Sequence, residues 1–186
     1  MTISLNAALR RLKPERKTKP LTPRSRGELA AVAELPPAGR PALLLDTNVY
    51  IFAAAGTLPD AAAAVVERAL LFHSSVCLGE LAIGVANADP AGPGWRAIRD
   101  HYAALIDAVP DARIIVPDDQ SWLEAGVIAG TLARTQRFQK HQRKECLNDA
   151  LILLSAAKAG LPVLTANREE FDLIQQLAPE GRFVYF

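Results

Sequence analysis

From about residue 41 onward, short apolar runs alternate with longer stretches of helical periodicity. Residues 43–46 are apolar up to Asp46 and too short for a helix, so they read as a buried strand. Pro59 opens an Ala-rich helix to about residue 72, and residues 74–78 read as a second strand leading into a helix through Glu80. Trp95, Ile98, Tyr102, Leu105 and Ile106 recur at three-to-four spacing, which predicts a helix over 94–108. Residues 113–116 read as a strand, and Asp118 or Asp119 caps a long helix containing Trp122, Val127 and Leu132. Residues 145–159 predict a nearly all-apolar helix closed by Gly160 and Pro162. Strands over 163–165 and 183–186, with a helix over 169–177 between them, complete the pattern. Strands separated by helices imply an α/β fold with a parallel sheet covered on both faces, where ligands gather at the carboxyl ends of strands. Asp46 falls at such an end, and so does the run Thr165-Ala166-Asn167.

Charge divides the chain in two. Nine of the 21 Lys/Arg and three of the 20 Asp/Glu fall within residues 1–40, a net charge of +6 that leaves −5 on the remainder. Residues 13–26 combine Lys, Arg, Pro, Ser and Thr with little to bury, and residues 1–40 as a whole are expected to form a basic, Pro-containing, partly disordered arm and linker. A short helix is expected over 25–34, a linker over 35–41, and a folded domain over 41–186. Hydrophobic residues make up 50% of the chain, enough for a sizeable core. The two cysteines, Cys77 and Cys146, sit in apolar runs without CxxC spacing, which argues against a disulfide framework or a zinc site and for a reducing cytoplasm. No run is long enough for a membrane span, and residues 1–10 are too short and polar for a secretory signal.

Three acids occupy positions where solvated charges do not belong. Asp46 ends Ala42-Leu43-Leu44-Leu45, Glu80 lies in Val76-Cys77-Leu78-Gly79-Glu80-Leu81-Ala82-Ile83, and Asp149 lies in Leu147-Asn148-Asp149-Ala150-Leu151-Ile152. A carboxylate in such surroundings is costly unless a cation or strong donors compensate it. Each alone also suits an ordinary role: Asp46 as a helix cap, Asp149 as a partner of Arg143 or Lys144, Glu80 as a half-exposed helix residue. Together on a parallel-sheet frame they suit one oxygen-rich site for Mg2+ or Mn2+, with Thr47, Asn48 and Asn148 placed to orient them.

Four blocks stand in order along the chain: Leu44-Leu45-Asp46-Thr47-Asn48-Val49-Tyr50-Ile51, Ser74-Ser75-Val76-Cys77-Leu78-Gly79-Glu80-Leu81-Ala82-Ile83-Gly84, Asn148-Asp149-Ala150-Leu151-Ile152 and Leu164-Thr165-Ala166-Asn167-Arg168-Glu169-Glu170-Phe171. In this order they resemble the blocks of PIN-domain nucleases, especially the VapC-type toxins of toxin–antitoxin pairs. The resemblance covers about residues 42–186. It implies a PIN-like α/β/α sandwich with a mainly parallel sheet of about five strands. It also implies a magnesium- or manganese-dependent endoribonuclease acting on RNA phosphodiester bonds, a homodimer, and silencing by a cognate antitoxin. Asp46, Glu80 and Asp149 then correspond to the principal catalytic acids, with Thr165 and Glu170 in support. Where many relatives carry a fourth acid this chain has Asn167, so a single tightly held ion is expected, with Asn167 as a candidate further ligand and a second ion either recruited by substrate or absent.

Arg134, Arg137, Lys140, Arg143 and Lys144 cluster ahead of Asp149 in an otherwise acidic domain, as an RNA backbone would require, although a solvated helix end gives the same pattern. The three histidines are scattered, and no GxSxG, GxxxxGK[ST] or GxGxxG motif occurs. A haloacid-dehalogenase-type phosphatase would need an Asp where Asn48 stands. The competing reading is a PIN-like RNA- or protein-binding module with weak or no catalysis.

Overall fold

The computed structural model describes residues 3–186; residues 1 and 2, part of the expected arm and of the segment read against a secretory signal, lie outside the described residues. Five strands form one parallel sheet: β1 (Ala42–Leu45), β2 (Leu70–Ser74), β3 (Ile114–Ile115), β4 (Val163–Thr165) and β5 (Phe183–Tyr185). Their order is β3-β2-β1-β4-β5. The helices are α1 (Leu5–Leu12), α2 (Thr47–Ala54), α3 (Asp60–Arg68), α4 (Ser75–Asn87), α5 (Trp95–Asp107), α6 (Asp119–Thr135), α7 (Lys140–Lys158) and α8 (Arg168–Leu177). This is the α/β/α sandwich expected from the alternation of strands and helices. Among the described residues, no helix is long and apolar enough to cross a membrane.

The core follows from the apolar runs. Leu43 and Leu44 of β1 and Val163 and Leu164 of β4 are fully buried, as central strands of a covered parallel sheet must be. In α7, Leu151, Ile152, Leu153 and Leu154 are all buried although they point in different directions around the axis. A helix buried on every side lies at the centre of its layer, and each such side chain contributes roughly 1.5–3 kcal/mol. Gly160, at φ 72°, ends this helix region in a left-handed conformation that glycine adopts without steric cost.

Several element boundaries differ from the sequence expectation. The helix expected from Pro59 to about residue 72 ends at Arg68, and residues 70–72 belong to β2. The strand expected over 74–78 is instead β2, which pairs Leu71 with Leu43 and His73 with Leu45. Ser74 then caps α4, its Oγ accepting the Val76 N–H at 3.2 Å. The run at 76–78 belongs to that helix, with Cys77 and Leu81 on its buried side. A short apolar run does not by itself distinguish strand from buried helix. The helix expected from residue 145 begins at Lys140, where Gln142 caps the Gln139 N–H at 2.8 Å. The basic residues at 140–144 therefore share a helix with Asp149. The short helix expected over 25–34 is two 3-10 turns, Arg26–Glu28 and Val32–Glu34. Trp122 is half exposed.

Residues 3–40 run over the rest of the fold and are fastened to it along the way. Helix α1 lies against α6, with Ala8 and Leu12 buried. Arg11 grips Glu124 through Nε at 3.1 Å and Nη2 at 2.6 Å and also reaches Glu180. Farther on, Asp172 is wholly buried in α8 and accepts the Arg24 N–H at 2.7 Å, Arg24 Nε at 2.5 Å and Gln176 Nε2 at 3.1 Å. The Tyr185 N–H donates to Ala30 O at 3.0 Å, continuing the sheet past the open edge of β5.

Candidate metal centre

The chain moves from β1 outward to β2 and β3, then returns to the other side of β1 for β4 and β5. The two strands at that reversal, β1 and β4, diverge into different connections, leaving a crevice at their carboxyl ends. Asp46 closes β1 and Thr165 closes β4, so both reach this crevice because the strands end there. Asp46 is buried and caps α2, its Oδ1 accepting the Thr47 N–H at 2.7 Å. Its Oδ2 accepts Thr165 Oγ1 at 2.7 Å and the Asn48 amide. Asn48 Oδ1 in turn accepts the Ala166 N–H at 2.9 Å, tying the two strand ends together.

The other acids arrive on helices. Glu80 on α4 accepts Asn148 Nδ2 at 2.7 Å and the Thr47 hydroxyl. Asp149, buried on α7, accepts Asn167 Nδ2 at 3.1 Å, and the same amide group reaches Glu170 in the first turn of α8. Thr165 Oγ1 accepts the Asn167 N–H at 2.8 Å and so fixes the turn that carries this amide. Hydroxyl and amide donors thus link the expected residues Asp46, Glu80, Asp149 and Asn167, together with Thr47, Asn48, Asn148, Thr165 and Glu170.

Electrostatically the centre carries excess negative charge. Burial pushes Asp46 up to about 6 against the downward pull of its donors, with Glu80 adding to the rise. Burial likewise holds Asp149 well above the usual carboxylate range, reinforced by Asp46, Glu170 and Glu80. Among the described residues, none of these four acids makes a salt bridge. Arg168, next to Asn167 and passed over in the sequence reading, is directed elsewhere: it pairs with Glu169 at 3.0 Å and lies 6.0 Å from the Tyr185 ring centroid. Cys77 and Cys146 are buried thiols; burial keeps both protonated, Cys146 up to about 12.

Does this donor set suit a divalent cation? Its chemistry does: hard carboxylate oxygens, half-buried or buried, crowd together with no side-chain cation. As the side chains stand, no group of three His, Cys, Asp or Glu among the described residues is arranged to hold an ion. The neutral donors of Thr47, Asn48, Asn148 and Asn167 bridge the acids instead, and an ion would take over part of their role.

The basic residues lie at one end of the same helix pair. Arg134 is in the last turn of α6, Arg137 in the α6–α7 turn, and Lys140, Arg143 and Lys144 in the first turns of α7, all exposed. At 1.5 Å per residue, Lys144 is about 7 Å and Lys140 about 13 Å along the axis from Asp149.

Residues 43–176 match the PIN domain family, and the chain belongs to that family, whose members are generally nucleases. Among solved structures, the fold is similar to that in VapBC2 from Rickettsia felis bound to a DNA fragment from their promoter. The TM-score is 0.56 at 19% identity, covering 78% of this chain and 98% of that one. It is also similar to FitAB bound to an IR36 DNA fragment, with TM-score 0.55, 17% identity and coverage of 77% and 94%. FitAcB from Neisseria gonorrhoeae gives 0.54, 20% identity and coverage of 76% and 96%. At these identities the likeness is one of fold. No curated protein matches the sequence.

Proposed function

We propose that this chain is a divalent-metal-dependent endoribonuclease of the toxin type, hydrolysing RNA phosphodiester bonds and held in check by a cognate antitoxin. The observation that carries the reading is a cluster of four acids at the sheet's topological switch, deprived of any side-chain cation, in a member of a nuclease family. Asp46, Glu80 and Asp149 would hold Mg2+ or Mn2+, with Asn167 as a further neutral ligand. The ion supplies positive charge against a scissile phosphate and acidifies water at neutral pH. Thr165 and Asn48 orient the Asp46 carboxylate, Asn148 and Thr47 orient Glu80, and Asn167 donates to both Asp149 and Glu170. Because Asn167 adds no charge, the set favours one tightly held ion. Without an ion, Asp46 and Asp149 retain protons far more readily than ordinary carboxylates, so metal binding releases protons and weakens toward acid pH.

The partner reading rests on the similar structures, which are VapBC and FitAB assemblies. A homodimer belongs to the same reading. Exposed Ile51 and Phe52 on α2, Ile83 on α4 and Ile98 on α5, on helices that pack in succession, support an apolar contact surface. The division into a 1–40 segment and a 41–186 nuclease domain, and a cytoplasmic location, belong to this reading as well.

The test is cleavage of a mixed RNA pool, and of single-stranded DNA of matched sequence, by wild type and Asp149→Asn, each with manganese and with a chelator. Manganese-dependent cutting of RNA, absent in the variant and with DNA spared, is the expected result. Manganese should also raise the melting temperature of wild type and not of the variant. Folded, metal-loaded, partner-free wild type that cuts nothing would move the chain to the binding-module reading.

A further inference from the structure

Residues 13–21 do not contribute to the carboxylate cluster and lie outside the family match, yet they are held against the C-terminal end of α6, where the chain turns into α7. Arg134 Nη2 donates to Pro14 O at 2.8 Å, and Gln136 Nε2 donates to Leu21 O at 3.2 Å. Leu12 is buried just before this loop, and Leu21 packs against the core at its end. Its backbone is therefore anchored at both ends, while Lys13, Arg16 and Lys19 are exposed and Lys17 is half-buried. Arg137, Lys140, Arg143 and Lys144 stand on the hairpin alongside. Among the described residues, none of these eight side chains makes a salt bridge, and the acids interspersed with them are Glu15 and Glu145.

Backbone conformation adds an independent observation. Among the described residues, the non-glycine positions with positive φ are Lys13, at 48°, and Arg137, at 58°. Glycine or asparagine adopts this region at less cost. Both positions fall in this surface, one on the loop and one on the hairpin, and both carry cations.

We propose that the 13–21 loop and the α6–α7 hairpin form one continuous cationic track that grips the phosphates of single-stranded RNA on its way to the carboxylate cluster. The proposal rests on the RNA-cleaving reading and deepens it by adding a second binding element from outside the family match. Charge complementarity selects the occupant: eight cations against two acids, on a chain whose residues 41–186 are net acidic, suit a polyanion. An anchored backbone also presents these cations with little ordering cost on binding.

The experiment measures binding of a short, labelled, mixed-sequence single-stranded RNA to the full chain in chelator, so that cutting does not intervene. Binding is followed across a salt series for wild type, for the loop triple Arg16→Gln, Lys17→Gln, Lys19→Gln, and for the hairpin triple Arg137→Gln, Lys140→Gln, Lys144→Gln. At roughly 0.7 per lost phosphate contact on a single strand, the slope of log affinity against log salt should flatten by about 2 in each triple. Matched melting temperatures establish that the variants are folded. A loop triple with wild-type slope, beside a flattened hairpin triple, overturns the track and leaves the loop as packing alone. Polyglutamate binding as tightly as RNA at equal salt overturns it in favour of an acidic protein partner. Cleavage is scored separately with manganese: a flattened loop slope without cleavage retires the nuclease reading and keeps the track, whereas cleavage with an unchanged slope does the reverse.

Discussion

Carboxylates are buried at two places in this molecule, and the two places treat them differently. On the side formed by α1, α6 and α8, each has a cation: Asp172 has Arg24, Glu124 has Arg11, and the more exposed Asp118 has Lys158 at 2.7 Å. At the strand ends, Asp46, Glu80, Asp149 and Glu170 have only neutral amides and hydroxyls among the described residues. Burial of charge alone therefore does not mark a functional site, since Asp172 is more completely buried than Asp149. What separates the two is uncompensated charge. A pair that is complete within the chain contributes to folding, whereas a cluster that repels itself is stabilised by a cation from outside.

The sharpest way to break the comparison is to remove the compensating partner on the structural side. Arg24→Ala leaves Asp172 buried with the backbone N–H of residue 24 and Gln176 Nε2 as its remaining donors and no cation, and should cost about 3 kcal/mol of stability, the low end for a broken buried pair because Arg24 is partly exposed. Urea denaturation checks it; a loss below about 0.5 kcal/mol, the surface-substitution range, would make Asp172 no better compensated than Asp149.

At the strand ends the sign should reverse. Asp149→Asn removes a self-repelling charge and should stabilise the metal-free protein by about 1 kcal/mol near neutral pH, within the range for relieving an active-site strain. The pH dependence follows from the raised position of Asp149. A carboxyl that binds its proton more tightly when folded contributes stability that is complete below its ordinary value and is lost as pH rises through the folded value. The variant's advantage should therefore vanish toward pH 4 and grow as pH rises above the ordinary carboxylate range. Melting curves in chelator test this, and a destabilised variant at neutral pH would sink it.

The smallest effect is expected at Asp118. Its carboxyl is held down to about 2 by Lys158 and by Ser121, which contributes both its hydroxyl and its N–H. The depressed value means the contribution is present above the ordinary carboxylate range and is lost as pH falls toward 2. Because the pair is exposed and screened, Lys158→Ala should cost at most about 1 kcal/mol at neutral pH, and less in high salt. A salt-insensitive loss larger than that would place this pair with the buried ones.

Much of the centre was legible along the chain because its members interrupt patterns. Asp46, Glu80 and Asp149 each break an apolar run, and such breaks are visible without a structure. The β2 boundary was not legible, since Leu70 to Leu78 is apolar enough for either assignment and pairing with β1 decides it. The start of α7 was also hidden, because residues 140–144 carry no apolar periodicity and their helix depends on a cap and on continuity with the buried turns that follow.

The sequence by itself determined the α/β alternation, the identity of the core runs and the residue types of the centre, because hydrophobic periodicity and misplaced charge are local properties. Tertiary structure decided which acids are compensated. Arg11 meets Glu124 across 113 residues and Arg24 meets Asp172 across 148, and composition marked residues 13–26 only as basic. It also brought the 13–21 loop alongside the C-terminal end of α6, where the chain turns into the helix that carries Asp149. Such pairings depend on where the backbone returns in space, and no local pattern records that.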